Sequence, residues 1–474
     1  WIFLLILLVN FLHLGWSEVN TLEQRVPADY TDAQLSVLEH FGRQVDYFLK
    51  DDKPLPGVDW DLLMATKAVD YNPDLVLKGR PVSWAQIEPG LPPEGVAGSV
   101  RAVSLAAPPM ARLLMDPATC VKPREEWPLR LQRTRVFVQP GEWAKILRGL
   151  YGRGMIKFLQ ASELITHNGR PLLNGLFGVP KGNIFEDGFD LDSCILRLIC
   201  NCIPTNELQD VVEGEIRGLP QFSQWALLEM LEREFFLVSG DDQTAAFFLY
   251  LLEKAWWPWF VLGREAPVEL LSELDLPVDA PWPALCVIAM GWCSATGIVQ
   301  HLHMQLVRSC RERLRTGEGL AELSKAAVMS ITRYMRSLGF LEVYLDNTLY
   351  AELCSDERFV KELHTIPPMQ EVLREVYGEW GIATSSKKAF HRMPEALARG
   401  GKLDGLAGRA DPSPDKLDRV ICMCWDLLGS TKPRWQQPAA LGGQACFLFQ
   451  FRRAGFTVLF QYWEVMHSTL GGRE

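Results

Sequence analysis

A chain of 474 residues is longer than one hydrophobic core usually serves, so two to four domains or subdomains are expected. Its 48% hydrophobic, 10% aromatic and 22% charged residues are those of a folded protein and exclude a disordered or low-complexity chain. The formal net charge of -10 excludes a uniformly basic nucleic-acid binder, although a groove can be locally basic on an acidic molecule.

Trp1 to Leu14 (WIFLLILLVNFLHL) is strongly apolar. It falls short of the roughly 20 residues of a membrane span and has no basic n-region. Residues 1–17 therefore read as the tail of a longer span, the h-region of a truncated signal, or translated upstream sequence, and a fragment is expected because no Met opens the chain. No membrane protein is inferred, and an intracellular location, cytoplasm or nucleus, is the expectation. Residues 18–110 are punctuated by KPLPG and EPGLPPEG and stay unassigned, mostly irregular or helical. One amphipathic helix is predicted from Tyr30 to Leu49, with Leu35, Leu38, Phe41, Val45 and Phe48 on one face and Asp32 as a cap.

A second helix is predicted from Glu142 to Tyr151, stopped at Gly152–Gly154. The runs LFGVP and ILRLICNCI, on either side of Glu186-Asp187-Gly188, form a hairpin signature. Next come FFLVS as a strand, a helix to about Trp257, FVLG and ALCVIAMGW as strands, a long helix from about Ala295, and LEVYLDN as a strand. This irregular mixture predicts an α+β fold with a sheet covered by helices on one face. The segment GGKLDGLAGRADPSPDK reads as turns, and helical patterns follow at Leu417–Leu428 and Pro438–His467.

The eleven cysteines include the CxC pairs Cys200/Cys202 and Cys422/Cys424, which read as buried free thiols in a reducing compartment rather than as a zinc site. His301 and His303 read as packing residues of the long helix.

Two segments carry converging acids. FFLVSGDDQTAAFFLY is an apolar strand ending at Asp241/Asp242, and LEVYLDN is a strand ending at Asp346-Asn347. Rigid strand ends suit carboxylates that must hold a divalent metal pair for nucleotidyl transfer. Taken alone, Asp242 reads rather as a helix N-cap, and Asp346-Asn347 rather as a tight turn between strands.

Order and spacing add a resemblance. DQTAAFFLYLL resembles the first catalytic motif of reverse transcriptases, an acid followed five residues later by an aromatic, here Phe247. Met290-Gly291 through Gln300 resembles the second motif, a Gly-aromatic turn leading into a helix. Tyr344-Leu-Asp-Asn347 resembles the Tyr-x-Asp-Asp box. Leu373 to Lys388 resembles the helix-turn-lysine motif, and Val179-Pro-Lys181 with Arg197 to Asn206 resembles the fingers hairpin. The family is that of retroviruses and LTR-type retrotransposons.

The resemblance implies a fingers, palm and thumb core with an antiparallel-sheet palm: fingers over 111–234, palm over 235–395 and the start of a thumb over 396–474. It implies Mg²⁺ or Mn²⁺ as cofactor, held by Asp242 and Asp346 beside Asn347, and an RNA or DNA template-primer with deoxynucleoside triphosphates as partners. Lys181, Arg197, Phe247, Met290, Gly291, Gln300 and Lys387 or Lys388 are implied at the nucleotide, with Asp241 and Tyr344 in support. This sequence departs from the family at Asn347, where the second acid of the box is lost, and at Ile203, where an arginine is expected. The helix after the second motif is also longer. An inactive relative that binds nucleic acid or a partner, and a membrane-tethered interaction protein, are the two alternatives.

Overall fold

In the computed structural model, residues 79–181, 190, 193–227, 230, 233–314, 320–322, 339–430, 434 and 436–452 are described, with positions 58, 60, 455, 456, 459, 462 and 463. The chain separates into the units Trp1–Gly57 and Val58–Glu474, and all the elements named below belong to the second. The apolar start, the Tyr30–Leu49 helix and the Glu186-Asp187-Gly188 turn lie outside the described residues.

After short elements at Trp84–Ile87, Val100–Arg101 and Ala102–Leu105, the main early elements are α1 (Pro108–Met115), α2 (Trp143–Gly152), β1 (Ile156–Leu159), β2 (Gly175–Pro180) and β3 (Leu196–Asn201). In α2 the buried residues Trp143, Ile146, Leu147 and Leu150 recur at helical spacing, so one stripe faces the core. Gly154, at φ 75°, turns the chain away as expected. β2 and β3 pair antiparallel from Gly175↔Asn201 to Pro180↔Leu196, the anticipated hairpin.

Strand β4 spans Glu234–Asp242, lies inside its sheet and is buried along most of its length, which explains its unbroken FFLV run. After it the expected helix to Trp257 shrinks to one turn, α3 (Ala246–Leu249), followed by extended chain and a 3₁₀ segment at Lys254–Phe260. Pro258 and the Trp-rich sequence there favour packing over helix continuation. Strand β5 covers only Trp282–Leu285, and FVLG contributes isolated bridges rather than a strand.

α4 (Ala295–Leu314) is the long helix. The sheet then continues with β6 (Leu320–Glu322), β7 (Gly339–Tyr344) and β8 (Asn347–Ser355). α5 (Pro368–Trp380) buries Met369, Leu373, Val376 and Tyr377 and ends at Gly381 in the left-handed region, φ 67°. β9 (Phe390–Met393) completes a five-stranded sheet in the order β6-β7-β8-β4-β9, antiparallel except for β6 on β7.

Both faces of this sheet are covered, not one. Leu341 and Val343 join the core built on α4 and α5. Phe236, Val238, Phe340, Leu349 and Ala351 pack instead against Phe222, Trp225, Leu403 and Ala410. The covering layer is a three-stranded sheet of β10 (Glu395–Ala398), β11 (Gly401–Asp404) and β12 (Arg409–Pro412), the last two formed by the segment read as turns. Its strands are short and bury at most every second residue, and the Arg399-Gly400 turn has φ 47° and 78°, the hand that suits a two-residue hairpin. Helices α6 (Pro414–Gly429) and α7 (Gln436–Phe449) follow; the pattern expected to run to His467 is broken after Phe449, and the described positions 456, 459, 462 and 463 are helical again.

Cys200 and Cys202 are buried free thiols, whereas Cys422 and Cys424 lie on a helix and only the first is buried. No described helix is long and apolar enough to cross a membrane.

The loop before α4 is pinned from both sides. Trp292 is buried in a cluster with Trp256 and Phe260, ring centroids 4.9 and 5.2 Å away, and its indole donates to Gln209 at 2.8 Å. Met290 accepts from the Cys200 amide at 2.8 Å, and Gly291 sits at φ 116° where a Cβ would lie 2.0 Å from the Cys200 carbonyl. Gly291→Ala should therefore destabilise the protein by at least about 1–3 kcal/mol. A denaturant midpoint equal to that of the wild type would contradict this packing.

Candidate active site

β4 and β8 pair antiparallel through nine residues, and at the end of the ladder Asp242 stands opposite Asn347, with Asp241 opposite Thr348. β7 and β8 form a hairpin closed by Tyr344↔Asn347, leaving Leu345 and Asp346 as its two-residue turn. The turn is linked to β4 because the Gln243 amide donates to the Asp346 carbonyl at 2.7 Å. Asp242 ends a strand and is not a helix N-cap; the residue preceding α3 is Ala245, at φ 54°.

The two neighbouring aspartates have different partners because successive residues of a strand face opposite sides. Asp241 is 2% exposed and takes two bonds on Oδ1 from Arg374 of α5, at 2.8 and 3.1 Å. Its Oδ2 is buried without a hydrogen-bond partner among the described residues. Asp242 accepts from the Lys388 ammonium on both oxygens, at 2.8 and 2.9 Å. Lys388 approaches from the loop after α5, where the Ser385 amide donates to the Asp242 carbonyl.

Burial raises the pKa of Asp346, and the nearby charge of Asp242 adds to the shift. Lys388 and Arg197 act on it in the opposite sense. The site thus brings two like charges together and faces them with two cations. Two close carboxylates with a neutral Asn347 oxygen at the same strand end form a hard oxygen donor set. That suits Mg²⁺ or Mn²⁺ completed by phosphate and water, and does not suit a closed protein cage. Among the described residues no group of three or more His, Cys, Asp or Glu forms such a cage.

The other anticipated residues are placed as follows. Arg197 and Lys181 lie on and just beyond the β2–β3 hairpin and are exposed, and only Arg197 is tied to the acids by its charge. Lys387 is exposed beside Lys388, and of the two lysines it is Lys388 that pairs with an aspartate. Phe247 is half-buried against the main core. Gln300, expected at the nucleotide, is 2% exposed and binds backbone instead: Nε2 donates to the Val343 carbonyl at 2.9 Å, and Oε1 accepts from the Leu345 amide at 2.7 Å. Tyr344 lies under the Arg399 guanidinium, 4.9 Å from its ring centroid. Arg399 is paired with buried Glu342, which also accepts from the Trp225 indole.

Sequence reasoning missed Arg374, Arg399 and the histidines. His301 is not mere packing: its Nε2 accepts from the Ala107 amide at 3.1 Å, and Nδ1 faces Glu215 at 3.1 Å. His303 has no solvent exposure and bonds Leu345 and Tyr377. Its place three residues after Gln300, on the same helix face, was the available signal.

No family model matches the sequence, and no curated protein matches it. Among the solved structures similar to the chain are two of foamy viral origin. One is a foamy viral protease-reverse transcriptase in complex with double-stranded DNA, at TM-score 0.43 and 12% identity, covering 80% of this chain and 52% of that one. The other is a foamy viral protease-reverse transcriptase in complex with an RNA/DNA hybrid, at TM-score 0.41 and 12% identity, covering 72% of this chain and 38% of that one. The chain thus spans about half or less of the proteins it is matched with.

Asp346→Asn should raise the melting temperature of the metal-free protein at neutral pH, because it removes a half-buried charge repelled by Asp242. The folded carboxyl has a raised pKa, so its stabilising contribution is present below the ordinary value of about 3.9 and is lost as pH rises through the folded value. The gap between variant and wild type should close on acidification towards pH ~3.9. A gap that does not change between pH 7 and that limit would contradict the repulsion.

Proposed function

We propose that this chain catalyses template-directed nucleotidyl transfer as an RNA-directed DNA polymerase of retrotransposon type. The reading has fingers in residues 111–234, palm in 235–395 and thumb from 396. The observation that carries it is the meeting of Asp242 and Asp346, distant in sequence, at adjoining strand ends faced by Lys388 and Arg197.

Asp242 and Asp346 would hold the divalent ions, with Asn347 as a neutral oxygen beside them. Bound Mg²⁺ or Mn²⁺ would supply activation of the primer hydroxyl and charge neutralisation at the departing pyrophosphate. Lys388, with a side chain 64% exposed, is free to exchange the Asp242 carboxylate for phosphate oxygens of the incoming nucleotide. Arg197 would bring a second cation from the β2–β3 hairpin. Asp241 is committed to Arg374 and takes no part in the chemistry.

A second reading is a protein that binds template-primer without extending it. It is favoured by the same Lys388, whose ammonium takes both Asp242 oxygens, and by the missing acid at position 347. Extension of a primed RNA template with Mg²⁺ or Mn²⁺ separates the two. The polymerase reading expects extension that falls by about a hundredfold to ten-thousandfold in Asp242→Asn, the rate equivalent of several kcal/mol of lost charge stabilisation. Tight binding of the template-primer with no extension in either metal establishes the second reading.

We assign Phe247 to sugar selection, its ring excluding a 2′-hydroxyl by overlap. Phe247→Ala should then admit ribonucleotides while leaving deoxynucleotide incorporation largely intact. If the ring serves only packing, the substitution costs about 3–5 kcal/mol and leaves sugar preference alone. The ribo- to deoxynucleotide incorporation ratio, measured beside a thermal melt, decides; an unchanged ratio in a folded variant contradicts the role in sugar selection.

A further inference from the structure

The turn carrying Asp346 has an unusual support. Leu345 stands at φ 53°, a conformation that a leucine rarely takes and that needs its surroundings to hold it. One face of α4 does so. Gln300 binds the Val343 carbonyl and the Leu345 amide, and His303, one turn on, binds the Leu345 carbonyl through Nδ1. The far nitrogen of the same ring, Nε2, lies 2.6 Å from the hydroxyl of Tyr377 on α5.

We propose that His303 and Tyr377 form a positioning pair that fixes the hairpin turn so that the Asp346 carboxylate stays beside Asp242. The inference rests on the polymerase reading for its purpose, but its geometry stands without it.

The hydrogen-bond chain has one consistent direction. A carbonyl only accepts, so His303 must carry its proton on Nδ1 to bond Leu345. Burial lowers the ring's pKa to about 4, so the imidazole is neutral and Nε2 is an acceptor. The Tyr377 hydroxyl must therefore donate to Nε2. Its own pKa is raised well above the ordinary value, chiefly by burial, so it keeps the proton it donates. Tyr377 thereby selects the His303 tautomer, and the tautomer selects the turn. Neither side chain touches substrate. Both act through the backbone of Leu345 on the residue that follows it, as an outer hydrogen-bond partner acts on a metal ligand. Because α5 also supplies Arg374 to Asp241, one helix steadies both acidic segments from below.

The test uses the full chain and Mn²⁺ alone as probe. Nitrogen-15 NMR of the imidazoles should show the Nδ1–H tautomer for His303 in the wild type. Tyr377→Phe, which keeps the ring and deletes the donor, should give a mixture of tautomers and faster amide exchange at Leu345 and Asp346. His303→Leu should weaken Mn²⁺ binding by about 10–100-fold. His303→Asn, whose amide nitrogen stands where Nδ1 stood, should recover most of that loss, which a purely packing role would not predict. A wild-type ring protonated on Nε2, or His303→Leu and Tyr377→Phe proteins that match the wild type in exchange, overturns the positioning pair. A wild type that takes up no Mn²⁺ contradicts the polymerase reading instead, and the tautomer and amide exchange then decide the pair by themselves.

Discussion

The pairing of β4 with β8 sets Asp242 opposite Asn347, and every other feature of the site takes its place from that register. Side chains alternate along a strand, so a slip of one residue would exchange the surroundings of Asp241 and Asp242 and turn the apolar residues of both strands to the wrong side. The register is held because the sheet is buried on both faces. On β7, Phe340 packs into the layer under β10–β12, while Leu341 and Val343 pack under α4 and α5. Neither face can be exposed without losing a cluster of aromatic and branched side chains.

On this frame the electrostatics divide the labour between two adjacent acids. Arg374 neutralises Asp241 inside the protein, where an unpaired charge would be costly. Lys388 neutralises Asp242 from the solvent side, its own side chain 64% exposed over a carboxylate that is buried. The inner contact is therefore structural and the outer one exchangeable. Asp346 feels the charge of Asp242 and is held in place through its backbone, by Gln243 on one side and the neighbouring Leu345 on the other.

Much of this was legible in the sequence wherever a local rule and the tertiary outcome agree. The FFLV run before Asp241-Asp242 is a buried strand, LEVYLDN is a strand entering a tight turn, and the Gly-aromatic loop leads into a long helix at Ala295. The convergence of Asp242, Asp346 and Lys388 was foreseeable only through the resemblance, since no local pattern brings residues of three separate segments together. The failures have physical causes. TAAFFLYLL has helical composition, yet the left-handed Ala245 and the pull of the core leave it a single turn. KLDGLAGRADP reads as turns because its strands are four residues long and bury only Leu403 and Ala410 between polar neighbours. His303 looked like packing because its two partners, a backbone carbonyl and a tyrosine on another helix, cannot be seen from the sequence around it.

The central claim is that Asp242 and Asp346 act together on one metal-dependent centre. Anomalous diffraction from crystals of the chain bound to a primed template, grown with Mn²⁺, tests it most directly. The account predicts a manganese peak touching a carboxylate oxygen of both Asp242 and Asp346, with Lys388 moved off Asp242. A site that stays empty of manganese while Lys388 keeps both oxygens of Asp242, with template-primer bound, would contradict it.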